Sequence, residues 1–260
     1  MARNGKLPQD IVLNDKLFEA FPIVYRILPI GDLIQTLISG KLIMVKPQKW
    51  ECLDPFENFM LNAPVIDANG NERCFSFKDT VYAQCWSALS LSDAMWRLYS
   101  PSKDGVRIKV SSEKLFNALI RNVPVESKHC CYFGNVVYKR TQELYKIQKK
   151  LLDECAYVKE PANIVKTLLY KRTAFKHESE IRLIFHPDHD YGDTFEFNIN
   201  PTELIQTLVF DPRMEEKDFL DYKKKLLDEF ELFSSRKIPE NHINQSTLYN
   251  RPKKWPVYQL

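Results

Sequence analysis

The stretch FKHESEIRLIF, residues 175 to 185, places two carboxylates and a guanidinium in a segment that otherwise reads as core. Ile181, Leu183 and Phe185 alternate with polar neighbours, the period-two pattern of a strand with one buried face. That register sets Glu178, Glu180 and Arg182 in a row on the opposite face, where the arginine moderates the repulsion between the two acids. Such a row supports two kinds of chemistry. A fixed carboxylate in a water-poor cleft stabilises positive charge that develops beside it. Alternatively, clustered acids (Asp54, Glu57, Glu178 and Glu180, with Lys171) hold a divalent cation and activate water, as a metal-dependent nuclease would. Arg26, the one charge in the apolar run PIVYRILPI (22 to 30), is a second candidate, because a guanidinium fork on a strand suits a phosphate. Ser87, in the strand-like VYAQCWSAL (81 to 89), is a third. Each also has an ordinary reading: a solvated strand face, a structural ion pair, a small packed side chain.

The elements that must position these residues follow from the pattern. PIVYRILPI predicts a buried strand, and Leu33, Ile34, Leu37 and Ile38 predict a helix after it, with Asp32 as N-cap and Gly40 as its end. KLIMV (41 to 45) is a second strand, and Asp54-Pro55 a turn. After the strand at 81 to 89 comes a short amphipathic helix in SLSDAMWRLYS, holding Met95, Trp96 and Tyr99. DGVRIKV (104 to 110) turns Val106, Ile108 and Val110 inward, SEKLFNALI is helical, and GNVVYK (134 to 139) is a strand. A basic helical stretch runs from about Gln142 to Tyr170, broken at Pro161. Beyond the E-x-E strand come strands at 193 to 199 and 204 to 210, an amphipathic helix at 215 to 232, and an extended basic tail. Together these give a single α+β domain, 1 to 260, with a mostly antiparallel sheet flanked by helices. Its core spans about 22 to 210, and a C-terminal helix and tail fill 211 to 260.

Composition narrows the classes. Apolar residues make up 44% and charged residues 27% of the 260, ordinary for a globular chain, while Gly numbers only 7. Neither G-x-G-x-x-G nor G-x-x-x-x-G-K-[ST] occurs, which excludes nucleotide binding through those two devices. The hydrophilic start MARNGKLPQD has no export signal, and no apolar run reaches the ~18 residues of a membrane helix. The cysteines, at 52, 74, 85, 130, 131 and 155, form no C-x-x-C pair; only HCC (129 to 131) hints at metal, and it lacks a second ligand cluster. A cytoplasmic protein with idle thiols is the expectation, with no metal site. Net charge is +3, unevenly spread. Residues 139 to 176 carry ten Lys/Arg against four Asp/Glu, a local +6, and 234 to 260 carry five against one, a local +4.

The order of a Tyr-Arg strand, a helix, an SGKL strand, a later strand ending in serine and E-x-E on a strand resembles the ADP-ribosyltransferase superfamily, in its arginine–serine–glutamate branch. The chain also resembles a bacterial family of unknown function, through YR, LDPFE, CWS, MWRLYS, DGVRI, VVYK and LLYKRTAFKHESEIRLIF in that order, across about residues 23 to 210. The transferase resemblance implies a split sheet and NAD as substrate. It makes Glu180 the catalytic glutamate, hydrogen-bonding the nicotinamide ribose, and Glu178 the first acid of E-x-E. It makes Arg26, next to Tyr25, the phosphate ligand and Ser87 a supporting residue. For the aromatic that stacks on nicotinamide, Tyr99, Trp96 and Phe56 are candidates. One departure is Cys85-Trp86-Ser87 where the superfamily carries Ser-Thr-Ser.

The resemblance further implies transfer of ADP-ribose to a macromolecule, in the setting of a bacterial toxin or phage-defence effector with an antitoxin or inhibitor protein as partner. The two basic segments point the acceptor toward single-stranded RNA or DNA, with Trp50, Trp86 or Tyr138 free to stack a base. A non-enzymatic module gripping nucleic acid is the remaining alternative.

Overall fold

The computed structural model describes residues 12–50, 54, 56, 64–66, 69–73, 79–157, 161–233 and 239–251. The first half holds α1 (Asp15–Ala20), β1 (Ile23–Pro29), α2 (Ile30–Ser39), β2 (Lys41–Val45), β3 (Val65–Ile66), β4 (Glu72–Arg73), β5 (Tyr82–Ser87), α3 (Asp93–Tyr99), β6 (Gly105–Ser111) and α4 (Ser112–Asn122). The second holds β7 (Cys131–Asn135), β8 (Val137–Lys139), α5 (Thr141–Tyr157), α6 (Pro161–Thr167), β9 (Tyr170–Arg172) and β10 (Glu180–Phe185). It closes with β11 (Thr194–Asn198), α7 (Pro201–Leu204), β12 (Ile205–Phe210), α8 (Glu216–Phe233) and β13 (Ile243–Gln245).

This is an α+β fold on a mostly antiparallel sheet. Two ladders make it. β1 pairs with β6 along its whole length, from Ile23 opposite Ser111 to Pro29 opposite Gly105, and β12 and β13 continue outward from β6. The other ladder is β5–β10–β7, with Glu180 opposite Ser87 at one end of β5 and Phe185 opposite Tyr82 at the other. The ladders meet at a single residue pair, Tyr25 opposite Ser87. β2, carrying β11, joins β5 at Val45 opposite Ala83. The sheet therefore splits beside β1, and a cleft opens where the strands part.

Apolar alternation builds the walls. Val24 and Leu28 of β1, and Val106, Ile108 and Val110 of β6, are buried in one core with Leu115 and Leu119 of α4. Ile181, Leu183 and Phe185 face that same core, as their spacing predicts. A second, smaller core lies behind β10, where Ile184 packs with Val81, Ala83 and Val136 against Val165, Leu168 and Leu169. β10 is thus covered on both faces. This is why the acid-and-arginine row ends in the interior rather than in water.

Local chemistry sets the joints. Gly40 takes the left-handed conformation (φ 62°) and its N–H donates to the Thr36 carbonyl at 3.0 Å, ending α2 as expected. α2 begins at Ile30, so Asp32 lies inside its first turn and not at the N-cap; there its charge complements the helix dipole. Ser92 caps α3 by accepting from the Met95 N–H at 3.3 Å. The expected strand 134 to 139 is two strands, because the chain leaves β7 at Val136 to begin β8, which pairs in parallel with β9. The basic stretch is two helices, the second opening on Pro161; residues 158–160 lie outside those described. Of the tail, β13 extends β12 in parallel, and 252–260 lie outside the described residues. Among the described residues, no helix is long and apolar enough to cross a membrane.

Candidate active site

Ser179 decides how the two acids meet. A 3-10 turn, Thr173–Glu178, precedes it, and Ser179 itself is left-handed (φ 44°, ψ 55°), so β10 begins only at Glu180. The expected row of three on one strand is corrected accordingly: Glu178 stands in the turn before the strand. The left-handed residue redirects the chain, and both carboxylates converge on Lys171 of β9. Lys171 Nζ donates to Glu178 at 2.7 Å and to Glu180 at 3.3 Å. Arg182 closes on Glu180 from the other side as a fork, Nε to Oε1 at 2.9 Å and Nη2 to Oε2 at 3.0 Å, while its Nη1 donates to the Leu168 carbonyl.

All four groups are withdrawn from water, with Lys171, Glu178, Glu180 and Arg182 exposed by 7%, 6%, 4% and 0%. Two acids and two bases make the cluster neutral. Burial alone pushes the Glu180 carboxyl up, but the Arg182 and Lys171 charges outweigh it and hold the group at about 2. Glu180 is ionised throughout the neutral range.

Ser87 ties this cluster to the split in the sheet. Its hydroxyl donates to the Glu178 carbonyl at 2.7 Å and accepts from the Leu89 N–H at 3.1 Å. It braces the turn that carries the acids. The Tyr138 hydroxyl accepts from the Glu180 backbone N–H at 2.8 Å, so Tyr138 is a strut and not a free stacking face. Trp86 is likewise buried, its Nε1 donating to Gln84 at 2.9 Å. The side chain of Trp50 lies outside the described residues.

Where β1 parts from β5 there is a cavity of about 360 Å³. Arg26, Cys85, Ser87, Tyr99, Glu178 and Glu180 line it, with Tyr25. Burial pushes the Arg26 guanidinium's pKa down, with Cys85, Asp32 and Tyr99 opposing. No hydrogen bond or ion pair engages it among the described residues. Tyr99 stands half in solvent at the cavity wall, and burial raises its pKa with Glu178 and Glu180 adding to the effect. Trp96 is placed differently: it is 1% exposed and lines only a small recess next to the cavity. Of the three aromatic candidates, Tyr99 alone presents a ring to the cavity. Phe56 instead covers Arg172, whose guanidinium carbon is 4.8 Å from the ring centre.

Of the acids in the nuclease alternative, Glu178 and Glu180 meet at Lys171, whereas Asp54 has a different partner. Asp54 is fully buried and gripped by Arg172, Nη2 to Oδ1 at 2.6 Å and Nε to Oδ2 at 3.3 Å. Glu57 lies outside the described residues. Among the described residues no three His, Cys, Asp or Glu side chains are arranged to hold a metal ion.

One residue of the site carries no mark in the sequence, Ser179, whose type does not announce a left-handed turn; Tyr138, expected as a base-stacking face, instead accepts from the Glu180 N–H. Lys171 and Glu178 are seven apart, and only the turn brings them together.

Solved structures similar to this chain are distant ones. Thermus sp. 2.9 DarT in complex with NAD+ shares 12% identity, covering 87% of this chain and 96% of that one, at a TM-score of 0.38. The same protein in complex with ADP-ribosylated ssDNA gives 13% identity, 87% and 94% coverage, and a TM-score of 0.41. No curated protein matches. The segment 95–183, from inside α3 into β10 and therefore carrying Tyr99, Lys171, Glu178, Glu180 and Arg182, matches the family described as protein of unknown function (DUF2971).

Proposed function

We propose that this protein is an NAD-dependent ADP-ribosyltransferase. One observation carries the reading: Arg26, Ser87 and Glu180 come from strands β1, β5 and β10 to one cavity at the split in the sheet. That trio is the one the superfamily resemblance implies. In the reaction, the bond between nicotinamide N1 and ribose C1′ breaks and its electron pair leaves with nicotinamide. Positive charge then builds on C1′ and the ring oxygen, facing the ionised Glu180 carboxylate. The acceptor's nucleophilic atom gives its pair to C1′ and releases a proton. Arg26 holds the pyrophosphate, Tyr99 stacks on nicotinamide, and Ser87, Lys171 and Arg182 keep Glu180 in place. Glu178 shares Lys171 and completes the charge balance.

The acceptor in this reading is single-stranded nucleic acid, RNA or DNA. It is supported by the exposed Lys146, Lys149 and Lys150 on α5, in the basic segment that leads toward β10. Action as a toxin or defence effector, held by an antitoxin, completes the proposal. The test is to incubate cell extract with the protein and NAD labelled in the adenylate, following nicotinamide release and the fate of label. Nicotinamide release with label on nuclease-sensitive material is expected. Label on protein alone, unchanged by nuclease, refutes the nucleic-acid acceptor; no nicotinamide release at all refutes the transferase.

Arg26→Lys gives a separate expected result. An ammonium cannot reproduce the bidentate fork, so NAD affinity drops about tenfold while the melting temperature stays near the parent's. Calorimetric titration beside a melting curve checks this. Unchanged affinity with a lowered melting temperature makes Arg26 structural.

A further inference from the structure

Three aromatic side chains stand out in solvent among the described residues: Tyr99, Tyr145 and Tyr249. Tyr99 belongs to the cavity wall, and the Tyr249 hydroxyl donates to Asp93. Tyr145, on α5, is the most exposed of the three at 55%, and its surroundings are basic. Over Thr141 to Lys150, α5 buries Leu144 and turns Gln142, Tyr145, Lys146, Lys149 and Lys150 to solvent. Helical spacing puts Lys149 one turn beyond Tyr145 on the same side, with Lys146 and Lys150 in the next row. The one acid in that stretch, Glu143, is paired with Arg140 at 3.1 Å. A lysine-rich helix face by itself is ordinary solvated surface. An exposed ring among the lysines is what needs an account.

That ring is held from beneath. Tyr145 and Phe56 meet edge to face, with 6.0 Å between centroids and 68° between planes. Phe56 in turn covers the Arg172 guanidinium at 4.8 Å, and the Phe175 ring lies 5.4 Å from the same group. Arg172 is gripped by Asp54 and follows Lys171 on β9, so the stack is anchored to the strand that serves the acid cluster. An edge-to-face contact engages at most one face of Tyr145 and leaves the other open. A ring already held loses little freedom when a partner stacks on it. The partner must be flat to use that face and anionic to suit the lysines. An unpaired base on a phosphodiester strand is both.

We infer that the outer face of α5 is a docking surface for single-stranded nucleic acid, with Tyr145 stacking an unpaired base and Lys146 and Lys149 meeting the flanking phosphates. Tyr145 thereby takes the role expected of Trp86 and Tyr138, whose polar atoms the fold uses internally. The occupant is the acceptor class proposed above, so the inference rests on that reading, but docking needs neither NAD nor turnover.

The probe is a fluorescein-labelled oligothymidylate, titrated by anisotropy against the full chain and its Tyr145→Ala, Tyr145→Leu, Tyr145→Phe and Lys149→Gln variants. Saturable binding to the parent is expected. Affinity should fall about tenfold in Tyr145→Ala and in Tyr145→Leu, which still covers Phe56, and return in Tyr145→Phe, which keeps the π face. Salt separates stacking from charge. The slope of log affinity against log salt should stay at the parent's value in the Tyr145 variants and shrink by about 0.7 in Lys149→Gln, which has one phosphate contact fewer. Oligouridylate in a parallel titration distinguishes an RNA occupant from a DNA one, and saturable binding of either supports the surface. Binding of neither to the parent overturns the inference, as does equal affinity in parent and Tyr145→Leu. Equally tight binding of the duplex with oligodeoxyadenylate overturns it too, since paired bases offer no free face. So does binding to phosphatidylserine vesicles with none to either oligonucleotide, which makes α5 a membrane-surface helix. Tyr145-dependent binding without nicotinamide release from NAD sinks the transferase reading and leaves the surface standing. Nicotinamide release with Tyr145-independent binding does the reverse.

Discussion

Glu180→Gln is expected to lower the rate of nicotinamide release about 10²–10³-fold per folded molecule, the loss typical of one electrostatic contact to a developing charge. The amide keeps the shape and removes the charge. It also unbalances the neutral cluster, leaving Arg182 and Lys171 with one acid between them, so the variant is less stable as well. Activity must therefore be measured well below the variant's melting point and divided by the folded fraction. Glu180→Asp separates the two effects. It preserves the charge balance but withdraws the carboxylate by one methylene, so its melting temperature should lie closer to the parent's while turnover still collapses. Near-parental turnover in folded Glu180→Gln would remove Glu180 from the chemistry.

Arg182→Met is expected to cost about 3–5 kcal/mol of stability, the range for breaking a buried pair by removing one partner. Arg182 is fully buried and its fork is the main reason Glu180 remains charged. Without it the cluster carries −1. Adding Glu180→Gln restores neutrality, because Lys171 and Glu178 still balance, so the double variant should melt higher than Arg182→Met alone. A double variant no more stable than the single one would show that packing, not charge, makes Arg182 necessary. Acid adds a second readout. A carboxyl held at about 2 in the folded chain, against ~4.3 when unfolded, contributes stability that is present above pH ~4.3 and lost as pH falls toward 2. In Arg182→Met that contribution shrinks, so stability between pH ~4.3 and 2 should fall less steeply than in the parent. Denaturant midpoints across that interval measure the slope.

The strands were legible in this sequence because alternation is a local signal. Val106, Ile108 and Val110 announce the inner face of β6, and Ile181, Leu183 and Phe185 that of β10. Gly40 marks the end of α2 for an equally local reason. The row Glu178, Glu180, Arg182 was legible as residues but not as geometry. Extending the strand pattern back through Ser179 predicts three side chains abreast, whereas the left-handed turn sends Glu178 across to Lys171. A serine has no composition cue for that conformation. Trp96 shows the opposite failure: on a short amphipathic helix, sequence cannot say which of two aromatics faces the cleft, and the core takes the larger ring.

The single pairing of Tyr25 with Ser87 has a mechanical consequence. The two ladders share a core but only one strand pair, so their backbones are tied at a single point, and opening one hydrogen-bonded pair costs far less than shearing a full ladder. Arg26 belongs to one ladder, Glu180 to the other with Glu178 in the turn before it, and Ser87 is the tie between them. The span between guanidinium and carboxylate is therefore a property of an angle. A change that stiffens or loosens the tie retunes the grip on both ends of a bound molecule at once, without altering any atom that touches it.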